Sequence, residues 1–214
     1  MAYWHINPWM KWISPSVTWD LRSKEKIIYL TFDDGPTPVV TEKVLDLLDR
    51  YDAKATFFCL GRNVERHQEI YKTILERGHA TGNHTYSHLK GWKTPNGEYL
   101  SDIELARQHI PSKLFRPPYG QIRRSQIRLL RNVYKIVMWD VMSHDYEQRL
   151  SKELSLRALL KYIKPGSIVV FHDSVKAWPK LEYILPQILD YFSSKGFEFH
   201  HLKMLDNTGE MSSS

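Results

Sequence analysis

The chain has 214 residues, of which 42% are hydrophobic, 25% charged and 13% aromatic. This composition is typical of one globular domain, and it excludes a chain that is disordered throughout, because there is ample apolar material to bury. No apolar run reaches the roughly 18 residues that a membrane-spanning helix needs. The start, MAYWHINPWMKWISPSVTWD, lacks the apolar core and cleavage site of a signal peptide, which fits a cytoplasmic protein or an exported protein after trimming.

Charge and cysteine content narrow the possible functions further. Thirty lysines and arginines against 24 aspartates and glutamates give a net charge of +6 and a pI near 9.2. An anionic partner would suit that charge, but the basic residues are scattered through helical stretches such as 123–128. This scatter favours a solvated basic face and gives no reason to expect nucleic acid as a partner. Cys59 is the only cysteine of the sequence, which excludes an internal disulfide and a multi-cysteine zinc site.

In chain order, seven short strand-like runs alternate with six helical stretches. The predicted strands are 27–32, 55–60, 79–83, 113–116, 134–139, 167–171 and 197–202. The predicted helices are 37–51, 64–77, 98–109, 125–132, 152–163 and 180–193. Thr37 is predicted to cap the first helix, with Pro38 in its first turn. The alternation predicts parallel strands joined by helical crossovers, in an α/β fold that is either an open doubly wound sheet or a (β/α) barrel.

Three regions are predicted along the chain. Residues 1–23 form an extension that holds four of the seven tryptophans. These four are Trp4, Trp9, Trp12 and Trp19. We expect their rings to pack as a lid over one end of the domain, with saccharide stacking and contact with a membrane interface as alternatives. Residues 24–205 make up the single domain, and the tail 206–214 is expected to be disordered.

Polar residues suited to chemistry follow the predicted strands at their C-terminal ends. In chain order they are Asp33 and Asp34, His84 and His88, Arg116, Asp145, and His172 and Asp173. The C-terminal ends of parallel strands lie on one rim of such a fold, where α/β proteins place their active sites. We therefore expect these side chains, which come from five different strands, to form one site.

The aspartate pair and the histidine pair each have a chemical and a structural interpretation. Asp33-Asp34-Gly35 is either a common turn sequence or a pair of carboxylates that divide metal binding and base catalysis. His84 and His88 have a spacing that, in a helix, puts both imidazoles on one face, as zinc ligation requires. Joined to a carboxylate from another strand, they would complete the two-histidine, one-carboxylate set of an open catalytic zinc site.

The other candidates are ambiguous when each is taken alone. His172 ends an apolar run, so it is either a hydrogen-bonded core residue or a functional one. Asp145 and Arg116 could each have a catalytic role, or they could form a structural ion pair with each other. Their shared position at the rim favours function.

Three motifs, in this order, carry a resemblance to a known family. Thr31-Phe-Asp-Asp-Gly35, His84-Thr-Tyr-Ser-His88 and Arg116-Pro-Pro-Tyr-Gly120 are similar to the first three motifs of the polysaccharide deacetylases with a NodB homology domain, carbohydrate esterase family 4. The resemblance extends from about Lys26 to Leu202. It implies that residues 24–205 form a distorted (β/α)₇ barrel.

The resemblance also implies roles for the residues of these motifs. Asp33 would be the general base, held by Arg116, and Tyr119 would offer its backbone N–H to the developing oxyanion. The implied ligands of a divalent metal ion, with Zn²⁺ as the expected ion, are Asp34, His84 and His88.

Two weaker matches complete the implied site. Asp145-Tyr146 stands where the family has an Asp-Trp motif, and Val170-Phe-His172 is similar to its LxH motif. His172 is therefore the implied general acid and Asp145 its partner. Met142 stands where many members carry a further aspartate, and Tyr146 replaces the usual tryptophan of the groove wall. Both departures bear on substrate preference more than on activity.

The implied activity is the metal-dependent removal of N-acetyl groups from glycans that contain N-acetylglucosamine, either peptidoglycan or chito-oligosaccharide, with release of acetate. The alternatives are an O-deacetylase that acts on acetylxylan and a catalytically silent sugar-binding barrel. The candidate stacking surfaces for the sugar are Tyr119, Trp139 and Tyr146, and the segment Gly91–Gly97 is a candidate groove loop.

Overall fold

The computed structural model describes residues 4–5, 16–21 and 23–202. The strands within these residues are β1 (Ile27–Asp33), β2 (Ala55–Cys59), β3 (Ala80–Asn83), β4 (Leu114–Phe115), β5 (Lys135–Ile136), β6 (Val141–Met142), β7 (Ile168–His172) and β8 (Glu198–Phe199). The helices are α1 (Val40–Asp49), α2 (Gly61–Arg66), α3 (Gln68–Glu76), α4 (Asn96–Arg107), α5 (Arg124–Leu130), α6 (Lys152–Tyr162) and α7 (Trp178–Ser194), with a 3₁₀ turn at Pro118–Gly120. Every predicted strand and helix overlaps at least one of these elements, so the predicted alternation is confirmed.

The named strands pair in parallel, in the order β5-β4-β3-β2-β1-β7-β6, with β8 alongside the start of β1. β5 and β6 are the two ends of one run of chain, 135–142. The start of this run bonds to β4, through the Val137 N–H to the Phe115 carbonyl at 2.8 Å. Its end bonds to β7, through the Asp140 N–H to the Ile168 carbonyl at 3.1 Å. The sheet therefore curls into a distorted barrel, and the open doubly wound alternative is wrong.

The prediction of a single fifth strand, 134–139, did not include this change of hydrogen-bonding partner from β4 to β7. Asp140 lies at the change and is buried. Its Oδ1 accepts the Ile168 N–H at 2.7 Å and its Oδ2 accepts the Ser167 hydroxyl at 3.0 Å. A side-chain carboxylate thus replaces a backbone acceptor where the ladder switches from β4 to β7.

The described N-terminal residues fill the wall beside this run. The Thr18 N–H donates to the Ile136 carbonyl at 2.9 Å, and the Thr18 carbonyl accepts the Met138 N–H at 2.7 Å. Further along, the Leu21 N–H donates to the Gly166 carbonyl at 2.9 Å. Residues 16–21 therefore belong to the barrel wall rather than to a separate lid.

The aromatic extension is described only in part. Trp19 packs against the apolar cluster of the barrel interior, and the Trp4 ring lies 4.6 Å from that of His144. Trp9, Trp12 and the tail 206–214 lie outside the described residues. Along the part of the chain that the structure describes, no helix combines the length and apolar character needed to cross a membrane.

The core has two layers because alternate side chains of a strand face opposite sides of the sheet. In β1, Phe32 faces the helices, where its ring lies 5.0 Å from that of Phe57 and 5.8 Å from that of Phe171. Burial of such a side chain contributes about 2 kcal/mol. Tyr29 belongs to the cluster inside the barrel, and Asp33 shares its face of the strand. The alternation of β1 thus carries Asp33 into the barrel mouth.

Two helix predictions are wrong in detail. The second predicted helix is two helices, α2 and α3, because His67 between them has a non-helical φ of −131° and ψ of 51°. The first helix begins at Val40 rather than near a Thr37 cap. Val39 precedes it with a φ of 68°, and its N–H donates to the Glu42 side chain at 2.7 Å. Glu42 therefore satisfies the helix start, while Thr37 does not.

Candidate active site

Loops at the C-terminal ends of the strands converge on the mouth of the barrel. The sheet register places Asp33, the last residue of β1, beside His172, the last residue of β7. Asn83, the last residue of β3, pairs with Phe115 of β4, so the loops that follow these two strands also start side by side. Neighbouring parallel strands end at a common level, which brings together side chains that are far apart in sequence.

The three side chains predicted as metal ligands lie together at this mouth and could hold a metal ion. Asp34, His84 and His88 each offer one ligand atom within 4.8 Å of the others. Asp34 Oδ1 is 3.2 Å from His88 Nε2 and 3.8 Å from His84 Nε2. Among the described residues, this buried oxygen has no hydrogen-bond partner. A buried carboxylate oxygen that faces two imidazole nitrogens fits a divalent cation.

His84 and His88 converge through a turn, so the helical geometry expected for this pair is wrong. Thr85 and His88 have φ values of 67° and 64°. The Thr85 N–H donates to Asn83 Oδ1 at 2.8 Å, and the His88 N–H donates to Thr85 Oγ1 at 3.0 Å. Such side-chain acceptors compete with the helical backbone bond. The two rings nevertheless come together, with centroids 5.2 Å apart.

Both imidazoles lie in surroundings that keep them neutral. His84 Nδ1 is 2.7 Å from the Arg116 carbonyl. Because a carbonyl only accepts, Nδ1 must carry the hydrogen, and Nε2 is left facing Asp34. Burial lowers the pKa of His84 to about 3, and the nearby His88 makes a smaller contribution in the same direction. Burial also lowers the pKa of His88. Neutral imidazole is the form that binds a metal ion.

Asp33 is buried and is held by Arg116. One guanidinium nitrogen, Nη1, donates to Asp33 Oδ1 at 2.7 Å and to Thr31 Oγ1 at 2.7 Å. Nε and Nη2 donate to the carbonyls of Val137 and Met138, at 3.3 and 2.8 Å. Burial lowers the pKa of Arg116, and its partners compensate for a charge that has no exposure to solvent. The arginine therefore fixes the orientation of the Asp33 carboxylate.

Asp145 holds His172 on the other side of the mouth. Asp145 Oδ1 is 2.8 Å from His172 Nδ1, and Oδ2 accepts the His172 backbone N–H at 2.7 Å. Burial by itself lowers the pKa of His172, but the charge and hydrogen bond of Asp145 outweigh it and raise the pKa to about 9. The ring is thus an imidazolium at neutral pH. The ion pair of Asp145 with Arg116 considered from the sequence is wrong, since Arg116 pairs with Asp33.

Asp173 has a structural role that sequence reasoning missed, although its place at a strand end was visible. Its buried carboxylate accepts the Gly35 N–H at 3.0 Å and the Thr41 hydroxyl at 2.5 Å. A Cβ at Gly35 would collide with this carboxylate, so the close approach requires glycine. Burial raises the pKa of Asp173 to about 8. Together with Asn63, which donates to the Asp34 carbonyl at 2.7 Å, it holds the turn that carries Asp34.

These groups open into a cavity of about 410 Å³. The three predicted stacking residues, Tyr119, Trp139 and Tyr146, all line it. The Tyr119 ring lies 4.6 Å from that of His88, and the Tyr146 ring lies 4.9 Å from that of His172. One tyrosine therefore flanks the ligand cluster and the other flanks the imidazolium.

Lys176 and Met142 also line the cavity. Lys176 places its Nζ 5.8 Å from the centre of the Tyr146 ring. Met142, one of the two departures from the family pattern, accepts a hydrogen bond from the Tyr146 hydroxyl at 3.5 Å through its sulfur. None of the segment Gly91–Gly97 lines this cavity. The sequence carries no signal for Lys176, because this residue stands four residues past the end of β7, in a loop whose path local sequence does not determine.

Comparison with known proteins gives concordant matches. A family model described as "Polysaccharide deacetylase" matches residues 20–134. A peptidoglycan-N-acetylglucosamine deacetylase of Bacillus cereus is 34% identical over 190 residues, which cover 86% of this chain and 89% of the relative. A chitooligosaccharide deacetylase of Azorhizobium caulinodans is 33% identical over 161 residues, covering 72% of this chain and 76% of the relative. The crystal structure of a peptidoglycan N-acetylglucosamine deacetylase bound to 4-naphthalen-1-yl-N-oxidanyl-benzamide superposes with a TM-score of 0.78 at 31% identity, covering 92% of this chain and 95% of that one.

Proposed function

The chain belongs to the polysaccharide deacetylase family, and from this premise we propose that it removes N-acetyl groups from glycans built of N-acetylglucosamine, with release of acetate. Relatives named for peptidoglycan and for chito-oligosaccharide support this substrate class. The observation that carries the proposal is that a ligand cluster, a carboxylate held by arginine and a protonated imidazole all face one cavity.

The metal ligands in this proposal are Asp34, His84 and His88. Two neutral imidazoles and one carboxylate are a common catalytic zinc set, so Zn²⁺ is the ion that we propose. When bound, the ion would polarise the acetamide carbonyl and acidify a water molecule. The chain prepares these ligands in advance, because the Arg116 carbonyl orients His84 and the Asp173 carboxylate braces the turn after Asp33.

We assign the general base to Asp33. Its Oδ1 is occupied by Arg116, while its Oδ2 lies 4.0 Å from His84 Nε2, on the side of the ligand cluster. Oδ2 is thus the oxygen positioned to accept a proton from the attacking water. Arg116 is a positioning residue, since it holds the carboxylate at one fixed orientation.

We assign the general acid to His172. The amine is a poor leaving group unless its nitrogen is protonated, and Nε2 of the imidazolium supplies that proton. Asp145 retains the Nδ1 proton and stabilises the charged ring. The backbone N–H of Tyr119, which follows Pro118 in a turn with a φ of 59°, is the proposed donor to the carbonyl oxygen as negative charge develops on it.

The test is acetate release from a panel of chito-oligosaccharide, peptidoglycan and acetylxylan, with and without a chelator. We expect release from the N-acetylated glycans, loss of release after chelation, and recovery when Zn²⁺ is added back. Preference for acetylxylan would identify an O-deacetylase instead. Saturable sugar binding without acetate release, at full metal occupancy, would identify a silent binding barrel.

A further inference from the structure

Trp92 presents an exposed indole on the rim of the barrel. It lies in the segment 84–95, which follows β3 at the end of the strands where the cavity opens. The side chain is 58% exposed. Its Nε1–H donates to the Ile122 carbonyl at 3.0 Å. The polar edge of the indole is therefore satisfied by the protein, while a large part of the ring is presented to solvent.

The loop around this indole is held by several hydrogen bonds. Arg123 Nη2 donates to the Trp92 carbonyl at 2.6 Å. The buried Gln126 side chain donates to the carbonyls of Gly91 and Thr94, at 3.0 and 3.4 Å. A Cβ at Gly91 would collide with the backbone of the facing loop, so only glycine allows the two loops to approach this closely. Ordering a loop costs conformational entropy. Because these hydrogen bonds already order the loop in the free protein, less entropy is lost when a ligand binds to Trp92.

Contacts of neighbouring residues connect the loop of Trp92 to the edge of the cavity. Tyr119 lines the cavity beside His88, and the Lys90 ammonium lies 4.6 Å from the centre of the Tyr119 ring. Trp92 follows Lys90 closely in the chain, within about 8 Å between Cα atoms by backbone geometry. It also bonds to Ile122, in the loop that carries Tyr119. Tyr119 and Lys90 therefore link the edge of the cavity to the loop that carries Trp92.

We propose that Trp92 forms a second saccharide-binding site, at which its indole stacks on another sugar ring of the glycan whose acetamide is being hydrolysed. An indole suits the face of a pyranose ring because both surfaces are apolar over the ring and polar at the edge. The inference rests on the proposed function for the identity of the glycan. It adds that longer chains bind better than short ones, because a short chain that fills the cavity does not extend to Trp92.

The kinetic test compares the N-acetylglucosamine dimer with the hexamer. We expect Trp92→Ala to lower kcat/KM for the hexamer by about five- to tenfold, and for the dimer by less than about twofold. Trp92→Phe keeps an aromatic face and should retain most of the hexamer activity. Val133→Ala, at an apolar residue that is 56% exposed and precedes β5 at the other end of the barrel, is the matched control and should change neither substrate. Equal losses on both lengths, or no loss on the hexamer, would overturn the proposal.

Binding in an inactive background separates this inference from the proposed function. Asp33→Asn would bind the hexamer without turning it over, so affinity is measurable by calorimetry with and without Trp92→Ala. We expect the second substitution to weaken hexamer binding by about fivefold at an unchanged thermal midpoint. If the native protein releases no acetate but this loss of affinity appears, the proposed function fails, and Trp92 remains a saccharide-binding residue. If acetate is released and the affinity does not change, the second site is wrong and the proposed function stands.

Discussion

The two walls of the barrel mouth use histidine in opposite ways. On the ligand wall, which carries His84 and His88, the Nδ1 of His84 bonds to the Arg116 carbonyl, and burial lowers the pKa of His84 to about 3. On the acid wall, which carries Asp145 and His172, the Nδ1 of His172 bonds to the Asp145 carboxylate, and the pKa of His172 rises to about 9 against the effect of burial. An imidazole is thus neutral beside a carbonyl dipole and charged beside a carboxylate, which are the forms that the proposed metal binding and proton donation require.

The largest effect is expected at Asp33, which lies between the two walls. Asp33→Asn removes the proton acceptor and leaves both histidine environments in place, so kcat should fall by about 10²–10⁴-fold. Metal content per chain, measured by atomic absorption, should stay the same. Loss of the metal would make Asp33 a ligand instead of the base, and near-native rates would contradict the base assignment.

Asp145→Asn tests the comparison directly, because it makes the partner of His172 neutral like that of His84. We expect kcat to fall by about 10²-fold. The imidazolium exists below its pKa, so native activity should persist up to about pH 9 and decline above it. In the variant the pKa of His172 falls, and the alkaline limb of the kcat profile should move to lower pH.

NMR titration of the His172 ring gives the same pKa without turnover. Metal content serves as the control, since His84 and His88 do not contact Asp145 in the described structure. If the alkaline limb of the kcat profile and the titration of the His172 ring both stay unchanged in Asp145→Asn, then Asp145 does not raise the pKa of His172.

The smallest effect is expected at Asp173, which joins the turn of the ligand wall to the loop of the acid wall. Asp173→Ala leaves the Gly35 N–H without its acceptor and should lower the free energy of unfolding by about 1–3 kcal/mol. Asp173→Asn keeps an acceptor oxygen and should cost less. Urea unfolding of the metal-free protein measures both, and an alanine variant as stable as the asparagine variant would show that the bond to Gly35 is unimportant.

The stability of Asp173→Asn relative to the native protein should also depend on pH, in a direction set by the pKa of Asp173. The pKa of Asp173 is about 8 in the folded protein against an ordinary 3.8, so between these values the folded protein keeps a proton that the unfolded chain releases. This contribution to stability is present below the unfolded pKa and is lost as pH rises through the folded pKa. Asp173→Asn lacks it, and its stability relative to the native protein should therefore rise between about pH 4 and pH 8. A constant difference would contradict the raised pKa.

Much of the candidate site was visible in the sequence because polar residues at strand ends interrupt apolar runs. The structure brings Asp33, Asp34, His84, His88 and His172 to one cavity. The conformation of the histidine motif was not visible. Its spacing suits a helix, but the hydrogen-bonding side chains of the residues around it hold a turn instead. The same short sequence is compatible with either conformation, so its spacing alone does not determine which one forms.

The sequence by itself determined the order of strands and helices and the chemical identity of the side chains at the strand ends, because both follow from local periodicity and residue type. The tertiary structure alone decided that the sheet curls into a barrel, through a run whose two halves bond to β4 and β7. It also decided that Arg116 pairs with Asp33 and that His172 pairs with Asp145. Partner choice and protonation depend on burial and on distances between residues remote in the chain, which local sequence does not specify.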